Sequence, residues 1–187
     1  MEIYALRIID DTKKTIQYQY DHFQSFGYFT RGSVRDLTHH TFDLIAERLQ
    51  NLKEIGLHRM EISELPDCVL YIKRGLKLNY LLAGHSSLKH MTITGLFKTI
   101  GEQKTDKEIT TLLDDFNAHP EAYKDKIDKI NQQLDGIKEI MHKNIEGILN
   151  RGEKIDKLVE DSDKLSDTSK IFFKQAKRVN CRWCTIL

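Results

Sequence analysis

The last eight residues, Asn180 to Leu187, read NCRWCTIL and hold two of the three cysteines. A thiol four residues from a terminal carboxylate is open to a prenyltransferase. Cys184, Thr185, Ile186 and Leu187 fit the C-a-a-X prenylation pattern, and the final leucine favours geranylgeranyl over farnesyl transfer. One lipid chain gives only marginal membrane binding, so a second signal is expected, and Cys181 is the candidate for it. Lys174, Lys177, Arg178 and Arg182 add positive charge, no acid follows Asp167, and Trp183 suits the headgroup level. The alternative is a redox or metal pair at Cys181 and Cys184. A lone C-x-x-C at a chain end lacks the supporting strand or the two further ligands that such chemistry needs.

The second residue of chemical interest is Arg151. From Ile127, alternating steps of three and four residues reach Ile127, Ile130, Leu134, Ile137, Met141, Asn144, Ile148, Arg151, Ile155, Leu158, Ser162, Leu165, Ser169, Phe172, Ala176 and Val179. Twelve of these sixteen are apolar, against 40 % hydrophobic residues in the whole chain, so the stripe is not accidental. A strict heptad stripe marks a coiled coil. As one helix it would be about 80 Å long, and it needs partner helices to cover it. Gly136, Gly147 and Gly152 each cost about 1 kcal/mol in helix propensity. The segment is therefore expected to be poorly helical alone and to fold on binding. A guanidinium in the seam is costly without acceptors, so Arg151 implies either an open seam or partners that supply them. The alternative is a different register with Arg151 exposed.

The elements that position this seam differ along the chain. Only two prolines occur, Pro66 and Pro120, and none follows Pro120. Before it, EIYALRII and TIQYQY read as strands joined by a DDTKK hairpin, and FGYFTRG as an aromatic strand. SVRDLTHHTFDLIAERLQ reads as a helix capped by Ser33, with Val34, Leu37, Phe42, Ile45 and Leu49 inside. HRMEISEL, CVLYIKR and LKLNYLLAG give three more strands. SSLKHMTITGLFKTIGEQ and DKEITTLLDDF give two helices. The order predicts an α+β domain with an antiparallel sheet over residues 1–117, a linker over 118–126, the coiled-coil segment over 127–180 and a lipidation tail over 181–187.

The segment from Ile127 to Val179 resembles a SNARE motif of the arginine class, with LNRGEKIDKLV as its most specific part. The resemblance implies that Arg151 forms the ionic zero layer of a four-helix bundle. There it would meet one glutamine from each of three Q-SNARE helices, Qa, Qb and Qc, and the other fifteen seam residues would form the flanking layers. Three amide carbonyls facing a five-donor guanidinium make chemical sense of that stoichiometry. Upstream, SFGYFTRGSVRDLTHHTFDLIAERL is similar to the strand-to-first-helix segment of prenylated longin R-SNAREs of the YKT type, through Arg31, Ser33, Val34, Leu44, Ile45, Glu47 and Arg48. This implies a profilin-like longin domain, a five-stranded antiparallel sheet flanked by helices, that folds back on the SNARE motif and shelters the lipid.

Two positions depart from the family's pattern. Cys181 stands three residues from Cys184, where the family has adjacent cysteines. His40, beside His39, replaces a phenylalanine of the first helix, and the pair reads as surface. The resemblance implies a role in docking and fusing vesicles and a cytoplasmic protein that cycles by lipid anchor to Golgi, ER or endosomal and vacuolar membranes. The rival readings are a lipid-anchored coiled-coil tether and a mimic that sequesters Q-SNAREs.

Other function classes lack their motifs. The chain has no phosphate-binding glycine loop, no H-E-x-x-H and no nucleophile elbow, so no catalytic, cofactor or metal site is expected. The net charge of +1 gives no nucleic-acid signal. No secretory signal or run long enough to span a membrane is read. Cys68, in the apolar run CVLYI, reads as core.

Overall fold

The computed structural model describes residues 1–54, 56–62, 65, 67–103, 105–123, 139–142 and 144–183. Strand β1 (Ile3–Asp10) is IYALRIID, apolar almost throughout, because both of its faces are covered. Its neighbour β2 (Thr15–Asp21) lies at the sheet edge, and only Tyr18 and Tyr20 turn inward. Strands β3 (Leu57–Glu61), β4 (Cys68–Lys73) and β5 (Leu78–His85) complete an antiparallel set in the order β2-β1-β5-β4-β3. A sixth strand, β6 (Glu139–His142), comes from the heptad segment and pairs with β3 in parallel, Leu57 opposite Glu139 and Met60 opposite His142. The expected five-stranded sheet thus gains an edge strand from the segment meant to bind elsewhere.

Side-chain alternation divides the core into two layers. On one face Leu6, Ile8, Val69, Tyr71 and Leu82 meet α2 (His90–Glu102) and α3 (Asp106–Ala118) through Phe97, Ile100, Leu113 and Phe116. Thr105 and Glu108 close a capping box at the start of α3. On the other face Ala5, Ile9, Leu70, Ile72 and Leu81 meet α1 (Arg31–Glu47) through Val34, Leu37, Phe42 and Ile45. Helix α1 starts at Arg31 with Thr30 as N-cap, so Ser33 does not cap it and is buried in its first turn.

Two further expectations are corrected. FGYFTRG is a turn-rich loop rather than a strand. Phe26 packs edge-on to Tyr4 at 4.8 Å, while the Arg31 guanidinium donates to the carbonyls of Gln24 (3.0 Å) and Phe26 (3.3 Å) and so holds the chain in a turn. The heptad segment is not one helix. Its described part runs through β6, a 3-10 turn (Ile145–Gly147), a loop, α4 (Ile155–Glu160) and α5 (Asp167–Trp183). Gly152, at φ +93°, turns the chain where an α-helix would have to continue. The apolar residues follow the shape of the sheet and α1 instead. Among the described helices none is long and apolar enough to cross a membrane.

Because the two layers lie on opposite faces, they are separable by mutation. Phe97→Ala, which empties the α2 layer, is expected to lower stability in urea unfolding by about 3–5 kcal/mol. Tryptic protection of residues 139–183 in the absence of urea should remain as in the parent protein.

Candidate functional site

The heptad segment lies along α1 and the β3 edge, and its polar contacts centre on the turn that holds Arg151. Arg48, at the end of α1, grips Glu153 with both arms of its guanidinium, Nε at 2.8 Å and Nη2 at 2.9 Å. Glu153 also accepts the Asn150 backbone N–H at 2.8 Å. The Arg48 guanidinium first, and that N–H second, hold the Glu153 carboxyl down at about 2. Asn51 donates to the Ile148 carbonyl at 2.8 Å and to the Asn150 side chain at 3.1 Å. Ile148, Asn150 and Glu153 around Arg151 are therefore fixed while Arg151 itself is exposed.

A second set of contacts runs along α1. Asp43 accepts from Arg7 of β1 at 2.6 Å and from Lys164 at 2.9 Å, so one carboxylate joins the central strand to the folded-back segment. Burial opposes its charge, but the Lys164 ammonium and the Arg7 guanidinium keep it below the usual carboxylate range. Ser169 donates to Asp36 at 3.1 Å. These pairs select one arrangement for a segment that the apolar contacts alone would hold less specifically.

Two buried histidines face the segment. His58 of β3, 1 % exposed, stacks on His142 of β6 with ring centroids 5.2 Å apart, and Nδ1 of the first lies 2.9 Å from Nε2 of the second. His58 Nε2 is 3.0 Å from the Glu54 carbonyl and must donate to it. Nδ1 is then the acceptor, and the His142 N–H donates across the strand pair. His40, expected at the surface, is 8 % exposed beneath Leu158 and Ser162. Burial pushes both His40 and His58 below the ordinary imidazole range. Asp43 and Glu47 pull His40 the other way and Lys164 adds to the fall; for His58, Glu54 opposes while His142 and Arg74 add to it. His39, by contrast, is paired with Asp21 at 2.8 Å.

The sixteen seam positions divide sharply. Ile127, Ile130, Leu134 and Ile137 lie outside the described residues, as does Cys184. Ile148, Ile155, Leu165 and Ser169 are buried on the sheet domain, and Leu158, Ser162, Phe172 and Ala176 are half-buried. Met141, Asn144, Arg151 and Val179 are exposed. Cys181 falls on α5. The seam missed Ile145, Val159 and Phe173, at most 5 % exposed and each one residue past a seam position. The doublets Leu158-Val159 and Phe172-Phe173, and the apolar Ile145 beside polar Asn144, carried that signal: a single narrow stripe has no use for an apolar residue off its line.

A two-faced sheet domain whose outer edge and first helix receive an arginine-bearing heptad segment is the architecture of a longin-type R-SNARE. Residues 126–185 match the Synaptobrevin family. The VAMP-like protein YKT61 of Arabidopsis thaliana is 34 % identical over 177 residues, 87 % of this chain and 85 % of that protein. The VAMP-like protein YKT62 of the same plant is 54 % identical over 66 residues, 35 % of this chain and 33 % of that one. The Synaptobrevin homolog YKT6 of Saccharomyces cerevisiae is 43 % identical over 74 residues, 40 % of this chain and 36 % of its own. The chain belongs to the YKT-type longin R-SNAREs, a family of vesicle-trafficking proteins that are not enzymes.

The histidines make the docked state sensitive to acid. Docking holds His40, His58 and His142 below the ordinary imidazole value, and release of the segment relieves that burial. The released state therefore holds more protons as pH falls below that value, and docking weakens. Each histidine contributes up to about 1.4 kcal/mol per pH unit until its own docked value is reached. NMR resonances of residues 139–165, followed from about pH 8 to about pH 5, should move toward released positions on acidification. The His40→Gln/His58→Gln/His142→Gln triple variant should flatten that dependence.

Proposed function

We propose that this R-SNARE exchanges the docked state for a bundle with three glutamine-class helices on an opposing membrane, in which Arg151 occupies the central ionic layer. The observation that carries this reading is a conflict of surfaces. Ile148, Ile155 and Leu165 lie against the sheet domain with at most 8 % exposure, and the same side chains would form layers of the bundle. One side chain cannot fill both places, so docking and assembly exclude each other. The sheet domain then regulates assembly by competing for the stripe. Residues 127–180 act as the assembling motif, joined to the sheet domain through the linker over residues 118–126.

Ile148, Ile155 and Leu165 exchange one buried site for another, whereas layer residues exposed in the docked form, such as Met141 and Val179, each gain about 1.5–3 kcal/mol on burial, and the sum over layers draws two bilayers together. Arg151 adds register and partner choice more than stability. Arg151 is exposed in the docked form, so departure of the segment uncovers no buried charge of its own. Anchoring falls to a prenyl group on Cys184, added by a prenyltransferase, with Cys181 as the site of a second lipid. The protein would then cycle between cytoplasm and the cytosolic faces of Golgi, ER or endosomal membranes.

A peptide of residues 121–180 mixed with candidate glutamine-class motifs tests this by circular dichroism. The expected result is little helix alone and a cooperative gain only when all three partners are present. Arg151→Ala should still permit helix formation, but cysteine cross-links should report registers displaced by a heptad. Helical self-association without partners would instead favour a coiled-coil tether. In the full chain, Glu153→Gln should speed assembly severalfold, because it leaves the Arg48 fork without its carboxylate.

A further inference from the structure

The two turns at the Asp10 and Lys73 end of the sheet form a surface that the folded-back segment leaves alone. Residues 10–14 and 73–77 carry five cations, Lys13, Lys14, Lys73, Arg74 and Lys77, against two carboxylates, Asp10 and Asp11. The chain as a whole carries only +1, so these turns are locally positive; Lys73 lies half-buried over the Tyr80 ring, and Glu47 lines the same pocket as Asp11 and Lys14. Both carboxylates are occupied in holding the turns. Asp10 accepts the backbone N–H groups of Thr12 and Lys13 at 2.9 Å each. Asp11 accepts from Lys14 at 2.9 Å and from the buried Asn79 side chain at 3.0 Å.

The two turns are also fastened to each other. The Asp11 N–H donates to the Lys77 carbonyl at 2.8 Å, and Asn79 accepts the Gly75 N–H at 3.3 Å. The Arg74 guanidinium donates to the Leu52 carbonyl. Gly75 has no space for a side chain, since a Cβ there would meet the Leu78 carbonyl oxygen at 2.4 Å. This tight turn holds Leu76 at 100 % exposure, flanked by Arg74 and Lys77. Lys13, Lys14 and Lys77 are exposed around it. Among the described residues, none of the hydrogen bonds or ion pairs of residues 139–183 falls on these turns.

We propose that this paired-turn end docks on an anionic bilayer, with Leu76 entering the acyl boundary and the surrounding lysines meeting lipid phosphates. Charge complementarity selects the partner: several ammonium groups around one apolar tip suit a fluid anionic surface, where each cation adds attraction without a fixed geometry. A protein groove would call for a larger apolar anchor than one leucine. The contact uses neither the lipid anchor nor the heptad stripe, so it operates in the docked form and is independent of the bundle reading above.

The test uses the full chain without lipid, floated with phosphatidylcholine vesicles with and without phosphatidylserine. Binding is expected only with phosphatidylserine and should fall steeply with added salt. Leu76→Asp and the Lys13→Glu/Lys77→Glu pair should each reduce binding at least tenfold, with unchanged urea midpoints because all three positions are exposed. The Lys107→Glu/Lys157→Glu pair on α3 and α4, both exposed, should leave binding intact. Absence of binding to phosphatidylserine vesicles, equal binding to neutral ones, or a loss confined to the α3 and α4 pair would overturn the assignment. Bundle assembly in solution should be the same for the parent and Leu76→Asp, so a failure here leaves the SNARE reading untouched.

Discussion

An apolar stripe that cannot stay in water governs this molecule. The heptad residues lose free energy wherever they are exposed, and a continuous helix hides them only against partner helices. In the single chain the nearest apolar surface is the α1 face of the sheet domain. Ile148, Ile155 and Leu165 settle there, joined by Ile145, Val159 and Phe173. The helix gives way rather than the stripe, because a few backbone hydrogen bonds are more easily rearranged than several buried side chains are left wet. The sixth strand, the 3-10 turn and the Gly152 reversal are the local forms of that compromise.

Burial chooses the face, and charge chooses the place on it. Arg48 with Glu153, Asp43 with Lys164 and Asp36 with Ser169 occur at three levels along α1, and each fixes a different part of the segment. All three α1 partners sit close to core residues of the same helix. The geometry that packs α1 on the sheet is therefore the geometry that aims the clamp.

The sheet domain was legible in the sequence where residues face two apolar layers or one. IYALRIID, CVLYIK and LNYLLAGH read as strands, because burial on both faces leaves little room for another pattern. FGYFTRG misled, because aromatic content mimics a strand while the glycines and the Arg31 contacts make a loop. Cys68 read correctly as core. His40 did not read as buried, since nothing local announces a segment that arrives from 122 residues away. The heptad itself was legible, but a period describes what a segment does with its intended partners. The docked path depends on apolar residues beside the seam, and a heptad count discards them.

The parallel pairing of β6 with β3 has a consequence for solution behaviour. In the docked form β6 covers the backbone edge of β3, whose other side is already bonded to β4. Release of the segment uncovers a row of unpaired amide and carbonyl groups on a strand whose Leu57 and Met60 belong to the core. Such an edge is a template for any other extended chain, including a second copy of the same protein. A population held open would therefore be prone to aggregate in proportion to its concentration, and docking protects solubility as well as the stripe.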